Sequence, residues 1–269
     1  VAQKIGALIP VRLSSERLPG KALMQIAERP VLYYLLDRVK ACRYIKDAAD
    51  IVVCTTEDAE DDRLAEAVNA YGASVFRGDK DDIIKRFHHA IAQFGFDAVV
   101  QVDGDDPLTA TEYMDLTMER LLGDPELGIV WSEGLPLGVN CKSFTRTALE
   151  RVYQQYQQGQ NDTGFIYFFT KTGLVKTATV SPVGPEHVFD KARLTLDYQQ
   201  DFDVFSAVFQ GLDDDGRAAG LADVVAFLKA HPEIVRFNAN LDEAYWQRTR
   251  DKARLSYVDA EGAVKAISV

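Results

Sequence analysis

Short apolar runs alternate with stretches whose apolar residues recur every three to four positions, and this alternation predicts a parallel sheet covered by helices. The first run, KIGALIPV, is almost continuously apolar, which predicts a strand buried on both faces. RPVLYYLLDRVKACRY then sets Val31, Leu32, Leu35, Leu36 and Val39 at helical spacing. DIVVCTT reads as the second strand. DAEDDRLAEAVNAYG reads as a helix whose acidic first turn suits the helix dipole and whose Gly72 ends it. ASVFRGD is a short third strand, and DDIIKRFHHAIAQFG places Ile84, Phe87, Ile91 and Phe94 along one face before Gly95. DAVVQVDGDDPL is a fourth strand that runs into a carboxylate-rich turn.

After Pro107 the pattern is mixed. A helix is predicted over about Ala110 to Leu122, then a strand at GIVWSE, a loop with Gly and Pro, and a helix at SFTRTALERVYQQYQQ. LVKTATVSPV predicts an exposed strand, KARLTLD another, and QQDFDVFSAVFQGL a helix. There is no internal repeat and no long linker. The expected organisation is therefore one α/β domain over residues 1–269, with a small inserted or appended region from about Trp131 to Pro185.

Composition narrows the function classes. The chain of 269 residues is 47% apolar and 26% charged, as in ordinary globular proteins. Its formal net charge of -11 opposes loose binding to nucleic acid or an anionic membrane, so an anion site has to be local. No charged leader with an apolar stretch opens it and no run is long enough to span a bilayer, which leads to the expectation of a cytoplasmic protein. Cys42, Cys54 and Cys141 are odd in number and far apart, so they are expected as buried hydrophobes without disulfide or metal. The histidines lack zinc-helix spacing.

In open parallel sheets ligands sit beyond the carboxyl ends of strands, so the loops at Arg12, Thr55, Gly78 and Asp103 matter most. The loop after the first strand, IPVRLSSERLPGKAL, holds Arg12, Ser14, Ser15, Arg17 and Lys21. Guanidinium forks, an ammonium and loop N–H groups suit a polyphosphate. Composition alone would equally serve a solvated basic loop. It is neither a Walker A loop, since Ala22 follows Lys21, nor a GxGxxG turn.

Carboxylates shift that balance. VVQVDGDDPL delivers Asp103, Asp105 and Asp106 from a buried strand, a costly grouping unless a cation is near. Such hard oxygen donors suit Mg²⁺, which takes one or two carboxylates and completes its shell with water and phosphate oxygens. RLTLDYQQDFD ends an apolar run in Asp197, which serves equally as a helix N-cap or as a partner of Asp105 on a metal, with Asp201 one turn on. The acidic groups near Glu57 and at Asp213 to Asp215 are expected to be solvated. Asp81 and Asp82 read first as a helix start, although their place at a strand end also makes Asp82 a nucleotide-binding candidate.

IPVRLSSERLPGKAL, FRGDKDDIIKRFHHA, VDGDDPL and ARLTLDYQQDF, in this order, resemble the cytidylyltransferases that activate acidic sugars, the 3-deoxy-manno-octulosonate and acylneuraminate enzymes. The strongest likeness is to the branch named for spore coat polysaccharide biosynthesis protein F. It covers about Ile5 to Pro107 and about Lys191 to Asn240. The resemblance implies a Rossmann-like nucleotidyltransferase fold (GT-A-like) with a mostly parallel sheet, use of CTP and an acidic sugar, Mg²⁺ as cofactor, and a homodimer whose partner covers part of the sugar site. It implies triphosphate binding by Arg12 and Lys21, with Ser14, Ser15 and Arg17 alongside, and metal binding by Asp105 and Asp197. Asn140 and the stretch Asn161, Asp162 and Thr163 would face the sugar.

Two departures stand out. Asp103 occupies the place of a glutamine that helps recognise the base in the octulosonate enzymes, and the SGT-type segment of those enzymes is replaced by RGDKDDIIKRF, as in the spore-coat branch. The expected reaction is in-line attack by an oxygen of an acidic sugar on the α-phosphorus of CTP, releasing pyrophosphate, for surface polysaccharide synthesis. The rivals are a sugar-1-phosphate or phosphonate nucleotidyltransferase and a non-catalytic nucleotide-sugar binding protein.

Overall fold

β1 (Ile5–Pro10) is buried on both faces, as its unbroken apolar run requires. A small hairpin, β2 (Gln25–Ile26) with β3 (Arg29–Pro30), leads into α1 (Val31–Lys40), which buries all five residues of the predicted stripe. β4 (Ile51–Thr56), α2 (Asp62–Tyr71), β5 (Ser74–Gly78), α3 (Ile83–Phe94) and β6 (Ala98–Gln101) follow in the predicted alternation. The two helices stop where expected, at Gly72 (φ 93°) and Gly95 (φ 71°), in the left-handed conformation that costs glycine least. The second half adds α4 (Thr111–Leu122), β7 (Leu127–Ser132), β8 (Lys142–Thr145), α5 (Arg146–Gln155), α6 (Tyr167–Thr170), β9 (Lys176–Val180) and α7 (Gln199–Gly211). The remaining elements are α8 (Leu221–Ala230), α9 (Pro232–Val235), α10 (Asp242–Lys252), β10 (Leu255–Val258) and β11 (Val264–Ile267). The computed structural model describes residues 3–157, 164–212, 219–252, 255–259 and 261–267.

Among the described residues the strands form a seven-stranded sheet in the order β5-β4-β1-β6-β8-β7-β9. β5, β4, β1 and β6 are mutually parallel, β7 and β9 are parallel to each other, and β8 runs antiparallel to both its neighbours. Alternate side chains divide the core. Ala7, Ile9, Val53 and Val100 face α1, α2, α4, α7 and α8, whereas Leu8, Val52, Val99 and Phe144 face α3, α5 and α6. The expected α/β class with a mostly parallel sheet is what the strand pairing gives.

Two predicted elements differ. Ser143 to Thr145, taken as helix, belong to β8, because Phe144 is needed in the sheet's core and Thr145 then caps α5 by accepting from Ala148 N. KARLTLD, taken as a strand, is extended but has no ladder. Its backbone bonds go to loops, Leu194 N to Leu137 O (2.7 Å) and Leu196 N to Asp105 O (2.7 Å), with one isolated bridge between Leu137 and Arg193. Gly138, at φ 91°, lets these segments touch, since a Cβ there would lie 2.0 Å from Leu194 O. The stretch 131–185 contributes β8 and β9 to the central sheet, with α5 and α6 packed against its face.

Candidate active site

The parallel strands β1, β4 and β6 end on one edge, and a cleft of about 460 Å³ opens there. Its first bank is the loop after β1. The chain curls back on itself, with Ser15 N and Gly20 N both donating to Leu13 O, and Leu13 and Ala22 are buried as anchors. A carboxylate fixes the curl from beneath: Asp61 accepts from Leu13 N at 2.8 Å, from Thr56 Oγ1 at 2.5 Å and from Thr56 N at 3.3 Å. Burial pushes Asp61 up, but these hydrogen bonds outweigh it and hold the group below the ordinary aspartate value. The expectation that this acidic group is solvated is therefore wrong for Asp61, which is 1% exposed. It is a loop strut, and its acidic neighbours in sequence disguised it.

The turn after β6 meets this loop directly. A Cβ on Gly104 would lie 2.5 Å from Pro10 O, so only glycine allows the contact. Lys21 then reaches across. Its Nζ donates to Asp105 Oδ2 at 2.9 Å, to Asp197 Oδ1 at 3.0 Å and to Leu196 O at 2.5 Å. Burial alone would lower the Lys21 pKa, yet Asp105 and Asp197 carry it above the ordinary lysine value, so the ammonium is fully charged. Lys21 in return outweighs burial at Asp105 and holds it below the ordinary carboxylate value. Asp106, next in the turn, is raised well above that value by burial and by the charges of Asp105 and Asp103. Arg17 Nη2 donates to Asp197 Oδ1 at 2.5 Å and its guanidinium lies over the Tyr198 ring, while its buried Nη1 has no hydrogen-bond partner among the described residues.

Asp197 rests on a buried network that the sequence did not reveal. Arg193, 1% exposed, donates to Asp197 Oδ2 at 3.2 Å and to Asp201 Oδ1 at 3.0 Å, and pairs with Asp242 at the start of α10 at 3.4 Å. Asp201 Oδ2 accepts from Asp197 N and Tyr198 N, each at 2.9 Å, and Asn238 Nδ2 donates to Asp201 Oδ1 at 2.8 Å. Asp201 thus completes a capping box at α7, and Asp197 is released from the N-cap role that its position also suggested.

Of the residues singled out beforehand, Arg12, Ser15, Arg17, Lys21, Asp103 and Asp105 line the cleft, and Asp197 joins them through Lys21. Ser14 is not among the lining residues. Asp82 is not either: Oδ1 caps α3 by accepting from Lys85 N at 3.0 Å and Oδ2 accepts from Tyr156 OH at 3.0 Å, which is the helix-start role expected first. Asn140 braces its own loop, donating to Pro136 O and accepting from Ser132 Oγ, and lies off the cleft. Asn161, Asp162 and Thr163 lie outside the described residues. Residues that sequence patterns missed include Arg86, Lys142, Tyr245, Trp246 and Arg248. Lys142 donates to Asp103 Oδ2 at 2.8 Å, while Gln101 Nε2 donates to Asp103 Oδ1 at 2.8 Å.

Asp105 and Asp197 converge on Lys21 and are hard oxygen donors of the kind Mg²⁺ takes one or two of, and here Asp197 Oδ1 is paired with Lys21 and Arg17 and its Oδ2 with Arg193. Among the described residues no cluster of three or more acidic, histidine or cysteine side chains gathers as a richer metal site. The three cysteines are buried, free and pushed up to about 12 by burial, so thiolate chemistry has no place here. No described helix is long and apolar enough to cross a membrane.

A family model described as cytidylyltransferase matches residues 6–199, a stretch that holds the basic loop, the aspartate turn and Asp197. The Bacillus subtilis spore coat polysaccharide biosynthesis protein SpsF is 24% identical over 235 residues, covering 84% of this chain and 94% of that protein. A Geobacter sulfurreducens 3-deoxy-manno-octulosonate cytidylyltransferase is 32% identical over 123 residues, which is 45% of this chain and 46% of the relative. Among solved structures, a cytidylyltransferase from Leptospira borgpetersenii superposes with a TM-score of 0.78 at 24% identity, covering 87% of this chain and 97% of that one, a likeness of fold. Matched over well more than half its length, with the loop and both aspartates inside the match, the chain belongs to the cytidylyltransferase family.

Proposed function

We propose that this enzyme transfers CMP from CTP to a hydroxyl of an acidic sugar of the nonulosonate or octulosonate type, releasing pyrophosphate, with Mg²⁺ held by Asp105 and Asp197. The observation that carries the reading is the convergence of those two carboxylates on Lys21 at the edge of the basic loop. A site that only held phosphate would gain nothing from the added negative charge. When bound, Mg²⁺ supplies neutralisation of the α-phosphoryl oxygens.

The protein's own residues do the rest. Arg12, Ser15, Arg17 and the loop N–H groups receive the β- and γ-phosphates. The sugar hydroxyl oxygen attacks the α-phosphorus in line with the leaving pyrophosphate, the new P–O bond forms as the bond to pyrophosphate breaks, the hydroxyl proton passes to solvent, and Lys21 and Arg17 stabilise the departing charge. The fixed charges favour the transition state without requiring a strong base. The names of the Geobacter and Bacillus relatives support an octulosonate-like acceptor and a role in polysaccharide synthesis. The proposed setting is the cytoplasm, and a second copy docking on the 131–185 region, with β9 at the sheet edge, is part of the same reading.

Pyrophosphate release measured with each of the four nucleoside triphosphates, with Mg²⁺ or EDTA, over acidic sugars and sugar 1-phosphates tests this. Release is expected with CTP, Mg²⁺ and an acidic sugar. Asp105→Asn is expected to lower kcat/KM by about 100-fold or more with normal folding; undiminished turnover would remove Asp105 from the chemistry.

A further inference from the structure

The family match ends at residue 199, yet a wall of the cleft is built from α10, far beyond it. The sequence of α10, DEAYWQRTRDK, has almost no apolar face with which to dock. It is held instead by specific polar contacts. At its start Arg193 pairs with Asp242 and lays its guanidinium over the Tyr245 ring, 4.9 Å away. One turn on, Arg248 pairs with Glu16 of the basic loop. This leaves Trp246 with 45% of its surface exposed, in the cleft, where folding gains little from an indole.

We propose that α10 is the acceptor wall of the cleft, with Trp246 stacking on the sugar ring and Arg248 taking the sugar's carboxylate. The inference rests on the cytidylyl-transfer reading above. Tyr245, Trp246 and Arg248 line the same cleft as Lys21, Asp103 and Asp105, so α10 borders the place where, on that reading, the two substrates meet. The basic loop fixes the triphosphate on one side of that place, while Ile83 and Arg86 of α3 belong to the opposite helical layer. An indole face suits the C–H face of a sugar, and a guanidinium fork suits a carboxylate. Arg248 already holds one carboxylate, that of Glu16, and its side chain is 33% exposed, so it can exchange that partner for a ligand's. The cytidylyl-handling residues lie inside the family match and this wall lies outside it, as expected if the wall sets acceptor choice.

The chain has two tryptophans, so Trp131→Phe makes Trp246 the sole reporter. Its fluorescence would be titrated with Mg²⁺ and α,β-methylene-CTP, and with 3-deoxy-manno-octulosonate and N-acetylneuraminate, each alone and together. Trp246→Ala and Arg248→Ala would be compared in steady-state pyrophosphate release, with circular dichroism as the check on folding. The expected result is a fluorescence change on adding an acidic sugar and, in both variants, an acceptor KM raised at least 10-fold with CTP KM within twofold, Arg248→Lys recovering part of the loss. A Trp246 signal with the CTP analogue alone, together with a raised CTP KM, would make the indole a platform for the base and overturn the proposal. Unchanged constants for both substrates would overturn it too. If no acceptor supports pyrophosphate release, the catalytic reading fails, and the titration still decides this one: a response to acidic sugar upholds the wall, and silence removes it.

Discussion

The two banks of the cleft hold their charges in opposite ways. The basic loop is fixed from beneath by backbone hydrogen bonds and by Asp61, leaving Arg12, Ser15 and Arg17 at the cleft. On the other bank the cation is the strut: Arg193 is buried and spends its guanidinium on Asp197, Asp201 and Asp242. One bank carries its cations at the cleft, and the other buries its cation among carboxylates. A buried guanidinium of this kind contributes positional accuracy more than net stability, because desolvation offsets much of the attraction. On the loop Arg17 keeps 21% of its side chain exposed and Lys21 13%, against 1% for Arg193.

The comparison predicts effects of very different size and kind. Arg193→Met removes the cation shared by two fully buried carboxylates, so urea unfolding should show a loss of about 3–5 kcal/mol, with turnover falling as Asp197 loses one of its supports. A loss below about 1 kcal/mol would mean the second bank is held by packing alone.

Asp61→Ala should cost about 2–3 kcal/mol, since three donors, two of them backbone N–H groups, lose a charged acceptor. The sign of its pH dependence follows from a folded pKa below the ordinary value. Its contribution is complete above the unfolded carboxylate's pKa of about 4 and disappears as pH falls through the lower folded value. The gap between wild type and Asp61→Ala should therefore be full at neutral pH and shrink in acid. A gap that is the same in strong acid as at neutral pH would assign the loop's anchoring to something else.

The smallest effect sharpens the boundary of the site. Asp82→Ala should lower stability by about 1 kcal/mol through loss of the α3 cap, with the KM for nucleotide unchanged. A raised nucleotide KM at wild-type stability would return Asp82 to the binding site.

The contrast between the banks also explains what could be read from the chain. The loop and the aspartate turn were legible because each follows directly from a buried strand, so topology alone delivers Arg12, Lys21 and Asp105 to the same sheet edge. Arg193 was not, since its three carboxylates lie at 197, 201 and 242 and nothing local connects the last to the first two. Its one visible trace was an arginine inside the apolar run KARLTLD, which demands a buried partner. α10 was invisible because a helix without an apolar stripe gives no periodic signal. β8 was hidden by the helix it adjoins: four residues of strand end in the very threonine that caps α5.

Lys21, from near the start of the chain, meets a carboxylate 176 positions later, and Arg193 ties that carboxylate to residue 242. During synthesis β1, β4, β5 and β6 can pair as they leave the ribosome, while the loop they carry still lacks its counter-charge. A product truncated before residue 197 would keep much of the sheet and lack the carboxylate with which Lys21 and Arg17 pair.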